Sequence, residues 1–445
     1  MSQTWWCEHA WVDDRVADSV RVTATDGVID SVEPDSAPTG NRLSGMVIPG
    51  LANAHSHAFH RALRSHTQRG GGSFWTWREA MYRIAARLTP QLYLELARAV
   101  YAEMALAGIT AVGEFHYLHH GPGGVRYADP NEMGWALVAA AADAGIRLTL
   151  LDTCYLTAGL DGAPLAGPQL RFGDGDADRW AQRADALRTD TEQSSHVLVG
   201  AAVHSVRAVP AGQLSRIADW ANTHNAPLHV HSSEQVAEVE QCLAAHGCTP
   251  TALLGAHGVL GPRTTAVHAT HLTEQDITDL RNTATGACFC PTTERDLGDG
   301  IGPAAALLDG PGPFSLGTDS HAMIDVLEEA RAVELDERLA RQRRGICSAT
   351  RLLEAATSDG QRALGWADAG RIAVGARADL VALDLSSVRT AGGGPTPENV
   401  VFAASAADVT DVVVDGRTVV TDRRHHRGSV GSLLTAAIGA LWEAS

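Results

Sequence analysis

The sequence predicts an α/β chain, a TIM-like (β/α)8 barrel with a small β-sandwich domain built from both chain termini. Three observations carry this expectation. Through the middle of the chain, β-rich apolar runs alternate with helical patterns, as in a parallel sheet with covered faces. Eight such runs fit within about 270 residues, the size of a (β/α)8 barrel. Finally, the strand-and-turn texture of the first residues returns near the end of the chain.

Taken in order, residues 1–47 read as short strands, with "SVRVTATDGVIDSVEP" alternating about the hairpin dipeptide Asp26-Gly27. The eight central runs are "MVIPGLANAH", "GITAVGEF", "RLTLLDTCY", "HVLVGAAVH", "APLHVHSSE", "TTAVHATH", "GACFCP" and "PFSLGTDS". Helix signals fill several intervals. Thr89-Pro90 offers an N-cap and first position, Leu92, Leu96, Val100 and Met104 form one stripe, and Gly108 closes it. "RIAVGARADLVALDL" and "DVVVDGRTVVTD", turning at Asp415-Gly416, rejoin the N-terminal strands. The expected domains are therefore 1–47 with 372–430 (β), 48–371 (barrel) and a C-terminal helix over 431–445. No GxGxxG follows the first strand, so an open dinucleotide-binding sheet is not favoured.

Composition narrows the partners. The 445 residues carry a formal charge of −17, which argues against nucleic-acid or anionic-membrane surfaces. "RQRRG" and "DRRHHR" are too short to reverse that and read as solvated faces. All 35 basic residues are arginine, and the chain has no lysine. Seven scattered cysteines without a CxxC exclude a disulfide framework or a cysteine zinc module. The N-terminus lacks the features of a signal peptide, and "SVGSLLTAAIGALW" is too short to span a bilayer. A cytoplasmic protein is expected.

Polar residues fall at the ends of the predicted strands. His55 and His57 follow the first, Glu114 and His116 end the second, and His204 ends the fourth. His229 and His231 end the fifth, His268 the sixth and Asp319 the eighth. In a barrel these ends converge on one mouth, where barrel enzymes keep their chemistry. Residues i and i+2 of a strand share a face, so His55 and His57 can turn inward together. With His231 and Asp319 they offer a ligand set for zinc, which takes three or four N/O ligands; iron suits the same donors. His229 shares a face with His231, and either could be the ligand by strand period. Asp319 also reads as an N-cap after "GTDS". Glu234, three residues past His231, is placed for general acid–base work. His66, His119, His120, His246, His257, His425 and His426 read as surface or loop residues.

At these residues the chain resembles the amidohydrolase superfamily, and within it the formimidoylglutamate deiminases of histidine degradation. The likeness rests on "HSHAFHRAL", "SFWTWREAMYR", "EFHYLHH", "HSVRAV", "HVHSSEQ", "VHATH", "LGDGI" and "GTDSH". It implies one Zn²⁺ and hydrolysis of N-formimidoyl-L-glutamate to N-formyl-L-glutamate and ammonia. It implies His55, His57, His231 and Asp319 as ligands, with HxxE spacing favouring His231 over His229. Glu234 and His268 match the catalytic pair, with Asp319 accepting a hydrogen bond from the attacking water. Arg78, Tyr117, His204 and Arg207 match substrate-contacting positions. His60 stands where relatives often carry Gln. Binuclear relatives bridge two metals through a carbamylated lysine on strand four, which this chain lacks, so one metal is expected. A dicarboxylate amidine calls for arginines, here Arg78 and Arg207. Gly70 to Gly72 with Phe74, Trp75 and Trp77 suggest a Gly-rich lid loop, and the expected assembly is a homodimer. Two alternatives stand beside this reading: a deaminase of a cyclic amidine such as a nucleobase or pterin, and a non-catalytic metal-stabilised barrel.

Overall fold

The computed structural model describes residues 2–68 and 74–443, with the side chains of Phe74 and Trp75 excepted. Four N-terminal strands come first: β1 (Ser2–Val12), β2 (Arg15–Thr25), β3 (Val28–Glu33) and β4 (Asn41–Pro49). In β2 the buried residues Val20, Val22 and Ala24 alternate with more exposed ones, the pattern of a sheet with one covered face. Eight parallel strands then form the barrel: β5 (Leu51–Ser56), β6 (Ile109–His116), β7 (Arg147–Cys154), β8 (Val197–Val203), β9 (Leu228–Ser232), β10 (Thr264–His268), β11 (Gly286–Phe289) and β12 (Phe314–Leu316). Apart from Leu198 every residue of these strands is buried, because the inner face is filled and helices cover the outer one.

The terminal β region expected from both chain ends is hydrogen-bonded as one continuous mixed sheet. β13 (Leu380–Leu383), β14 (Val409–Val414), β15 (Arg417–Thr421) and β16 (Arg424–His425) join it in the order β16-β15-β14-β13-β4-β1-β2-β3. Both hairpin dipeptides turn as expected, Asp26-Gly27 with φ of 50° and 85° and Asp415-Gly416 with φ of 47° and 75°. The first expected barrel run divides. Met46 to Pro49 pair with β13 in the terminal sheet, and only Leu51–Ser56 enters the barrel. Gly50 lies at the division, where a Cβ would come within 2.3 Å of the Thr110 hydroxyl. The sheet is tied to the bottom of the barrel by Arg147, fully buried on β7. Its guanidinium donates to both oxygens of Asp379 and, at 2.9 Å, to Asp415.

The helix expected after Thr89 runs Pro90–Leu106, and Thr89 Oγ1 accepts from the Leu92 amide at 3.2 Å. A C-terminal helix, Val430–Glu443, packs against it. The helix's Trp442 reaches the other way, donating to the Ala62 carbonyl at 2.9 Å and stacking on His66 with centroids 4.4 Å apart. Among the described residues, no helix is long and apolar enough to cross a membrane.

The barrel closes where its first strand meets its last. β12 is short, but the chain after it continues the seam. The amides of Thr318 and Asp319 both donate to the His55 carbonyl, at 3.1 and 3.0 Å, and His57 donates back to the Asp319 carbonyl at 3.2 Å. This approach needs a glycine at position 317, because a Cβ there would lie 2.7 Å from His55 Cβ and 2.9 Å from Cys290 Sγ.

Candidate active site

The seam places His55, His57 and Asp319 side by side by main-chain hydrogen bonding, before any side chain is considered. β9 and β10 deliver His231 and His268 to the same mouth, in a register that pairs His231 with Val267. His55 Nε2 lies 3.1 Å from His231 Nε2 and 3.4 Å from Asp319 Oδ1. His57 Nε2 is also 3.4 Å from Asp319 Oδ1, and His268 Nε2 is 3.9 Å from Asp319 Oδ2. Two overlapping sets, His55–His57–Asp319 and His55–His231–His268, each bring their donor atoms within 4.8 Å of one another.

The donors suit a cation. His57 Nδ1 donates to the Phe115 carbonyl at 3.0 Å and His231 Nδ1 to the His204 carbonyl at 2.8 Å. Those bonds assign the proton to Nδ1 and leave each Nε2 a bare lone pair aimed into the cluster, the usual arrangement of a ligating histidine. Burial, reinforced by neighbouring histidines, holds His55 and His231 well below the ordinary imidazole range and His57 at about 3. Neutral imidazoles and one carboxylate fit a divalent metal.

His268 is tuned the other way. Burial pushes its pKa down, but the bond from Nδ1 to Glu294 Oε1 (3.4 Å) and the charges of Glu234 and Asp319 leave it well above the ordinary value. The backbone is also unusual here. Ser233, His268, Ala269 and Asp319 all have positive φ, between 39° and 66°, conformations that cost about 1–3 kcal/mol each and gather at working sites.

Beneath the cluster, Glu114 is wholly buried and accepts from Ser56 Oγ and the Ala58 amide, both at 2.7 Å, bracing the two neighbours of His57. Burial pushes its carboxyl up to about 7, against those hydrogen bonds.

Above the cluster opens a narrow cleft with a cavity volume of about 70 Å³. His57, His231, His268, Asp319 and Glu234 form its floor side, and His60, Arg78, Tyr117, His204 and Arg207 stand among its walls. His60 Nε2 and Tyr117 Oη are 3.0 Å apart. Arg207 donates from Nε to Glu238 at 3.2 Å and from Nη2 to Glu234 at 3.1 Å. The side chains that the resemblance gives as ligands, catalytic groups and substrate contacts thus all meet this one cavity or the donor cluster.

Several expectations need correction. His229 is not a rival ligand: its Nε2 donates to the Ala363 carbonyl at 3.0 Å, one strand layer deeper in the barrel. Asp319 caps no helix, since the next helix begins at Val326 with Asp325 as its cap. The aromatic stretch expected in a loop opens a helix, Phe74–Arg87, whose Trp77, Arg78, Met81 and Tyr82 face the cleft at i, i+1, i+4 and i+5. The glycines expected to hinge a lid, Gly70 to Gly72, lie outside the described residues. His119, His120 and His425 are buried rather than superficial. His119 Nε2 donates to the Thr153 carbonyl at 2.9 Å, His120 meets Asp174 at 3.1 Å, and His425 donates to the Ala144 carbonyl at 3.0 Å.

The sequence reading does not single out Glu238 or Glu294. Glu238 lies one helical turn past Glu234 and Glu294 lies four residues past Cys290 on β11's exit, so strand-end proximity was the available signal.

Comparison with known proteins agrees with this geometry. The amidohydrolase family pattern matches residues 46–419. A formimidoylglutamate deiminase of Pseudomonas aeruginosa is 39% identical over 433 residues, covering 94% of each chain. An 8-oxoguanine deaminase of the same organism is 30% identical over 416 residues, covering 87% of this chain and 88% of its own. The crystal structure of an amidohydrolase from Brucella melitensis superposes with a TM-score of 0.92 at 34% identity, covering 99% of this chain and 100% of its own. With a barrel whose seam carries the HxH pair and the terminal aspartate, and a family match over most of its length, the chain belongs to the amidohydrolase family of hydrolases.

Proposed function

We propose that the protein is a metal-dependent deiminase that hydrolyses N-formimidoyl-L-glutamate to N-formyl-L-glutamate and ammonia, a step of histidine degradation. The observation that carries this reading is the pairing of the donor cluster with two cleft arginines, Arg78 and Arg207, in a chain 39% identical to a formimidoylglutamate deiminase. The substrate has two carboxylates, and arginine is their natural partner.

In this reading His55, His57, His231 and Asp319 hold one Zn²⁺; iron would suit the same donors. Such an ion, when bound, makes water nucleophilic at neutral pH by lowering its pKa from 15.7 to about 7. Glu234 takes the proton of the attacking water and returns a proton to the leaving nitrogen, general acid–base work worth about 10²–10⁴ in rate. Water adds to the formimidoyl carbon, the bond to the terminal nitrogen breaks, and ammonia leaves. His268, held by Glu294 at its Nδ1, stabilises negative charge on the attacking oxygen. Asp319 orients the attacking water from its second oxygen. Arg78 and Arg207 bind the carboxylates, while His60, Tyr117 and His204 supply neutral hydrogen bonds. Trp77, Tyr82, Tyr155 and Phe172 wall the cleft against bulk water. We take the assembly to be a homodimer, and seven unpaired cysteines suit a reducing cytoplasm.

The aromatic walls, with the 30% identical 8-oxoguanine deaminase, favour one second reading, deamination of a flat cyclic amidine. Ammonia release after chelation and reconstitution, with zinc or ferrous iron, separates the two. Release from formimidoylglutamate and none from 8-oxoguanine, guanine or cytosine is expected. The reverse would overturn the proposal. Glu234→Gln should keep its metal and lose turnover; unchanged turnover would exclude the proton transfer assigned to it.

A further inference from the structure

Arg207 is gripped along one edge. Its Nε donates to Glu238 Oε2 at 3.2 Å and its Nη2 to Glu234 Oε2 at 3.1 Å. A guanidinium is a rigid plane with five donors, and two groups on its Nε–Nη2 edge fix where the remaining donors point. Nη1 has no protein partner among the described residues, and Arg207 lines the cleft. The open end of the fork is therefore available to a carboxylate, without displacing either glutamate.

The two glutamates have different surroundings. Glu234 lines the cleft. Glu238 does not: its side chain is 0% exposed, in the first turn of the helix Val236–His246, and its other oxygen faces the Ser233 amide at 3.4 Å. A carboxylate this deep is retained only beside a cation, and Arg207 is the one that bonds it. Without Glu238, the Nε–Nη2 edge is free to close bidentately on Glu234, the geometry arginine and carboxylate prefer. The plane would turn, taking the open fork away from the cleft while Glu234 keeps its place on the floor.

We propose that Glu238 is a positioning residue for substrate recognition: it pins the Nε edge of Arg207 so that the guanidinium presents its free end to a substrate carboxylate. The proposal rests on the dicarboxylate reading of the cleft, and its test separates the two. The experiment uses the metal-loaded enzyme and its Glu238→Ala, Glu238→Gln and Glu238→Asp variants. It measures steady-state kinetics with formimidoylglutamate, and calorimetric binding of glutarate, a dicarboxylate that needs no turnover.

Glu238→Ala is expected to raise KM and the glutarate Kd at least about tenfold, the value of one charge-assisted hydrogen bond, with kcat changed less than about threefold. Glu238→Gln keeps an acceptor for Nε and should restore both constants to within about threefold of the parent. Glu238→Asp keeps the charge but falls short of Nε, so it should behave as Glu238→Ala even where the alanine variant fails to fold. A merely structural role would lower the folded fraction and leave KM and glutarate affinity unchanged, which overturns the proposal. Tighter glutarate binding by Glu238→Ala, the result if charge rather than position mattered, also overturns it. If the parent binds glutarate but releases no ammonia from formimidoylglutamate, the functional reading falls and Glu238 is judged on glutarate alone. If it binds neither, both fall.

Discussion

Replacing Glu114 by Gln tests how the floor of the site is built. The carboxyl is buried, with an ordinary value of 4.5 pushed up to about 7, because desolvation outweighs the hydrogen bonds from the Ala58 amide and Ser56. In the unfolded chain it ionises near 4.5, so between these values the folded protein holds a proton that the unfolded one has lost. Stability contributed by the neutral carboxyl is fully present below 4.5 and is lost as pH rises through about 7. Carrying the value from 4.5 to about 7 is worth about 3 kcal/mol at the alkaline end. Glutamine keeps an acceptor for the Ala58 amide and cannot ionise. Urea unfolding of metal-loaded parent and Glu114→Gln, from about pH 4.5 to about pH 8, should therefore show the variant gaining about 3 kcal/mol relative to the parent across the window. A difference that stays constant to within about 1 kcal/mol would refute the assigned burial cost.

Arg147→Met should cost about 3–5 kcal/mol in urea unfolding, since it leaves Asp379 buried without its partner. Adding Asp379→Leu should recover part of that loss. Chelation should abolish ammonia release and lower the thermal midpoint. At an ion concentration 1,000 times its Kd the linkage is worth about 4 kcal/mol, and His231→Ala should lose both metal and that stabilisation by elemental analysis and calorimetry. Trp442→Ala removes the bond to the Ala62 carbonyl and the stack on His66, and should cost about 2 kcal/mol in urea. It should also raise KM, because the same ring lies beside Arg83 on the helix that carries Trp77 and Arg78.

The barrel was legible because its signals are local and repeated. Apolar strands such as Arg147–Cys154 and Val197–Val203 stand in sequence as they stand in space, the second followed at once by His204. The donor cluster was legible for the same reason, since strand ends of one barrel share one mouth. What sequence could not show depends on neighbours distant in the chain. His229 and His231 have the same period, and only the Ala363 carbonyl, 134 positions away from His229, separates them. Met46 to Pro49 are as apolar as a barrel strand, and their pairing with Leu380–Leu383 decides their sheet. His119 and His120 look like loop histidines until Thr153 and Asp174 are found beside them. Arg207 looks like a bare cation until Glu238 and Glu234 are seen on its edge.

The seam has a mechanical consequence. His55 and His57 come from the first stave of the barrel and Asp319 from beyond the last, joined there by main-chain bonds at one short stretch. A cation gripped by these three side chains would therefore act as a rivet across the hoop. Emptying the centre would slacken the ring first at residues 314–319, so amide exchange there should quicken while the far staves, around Val199 and Leu150, stay guarded.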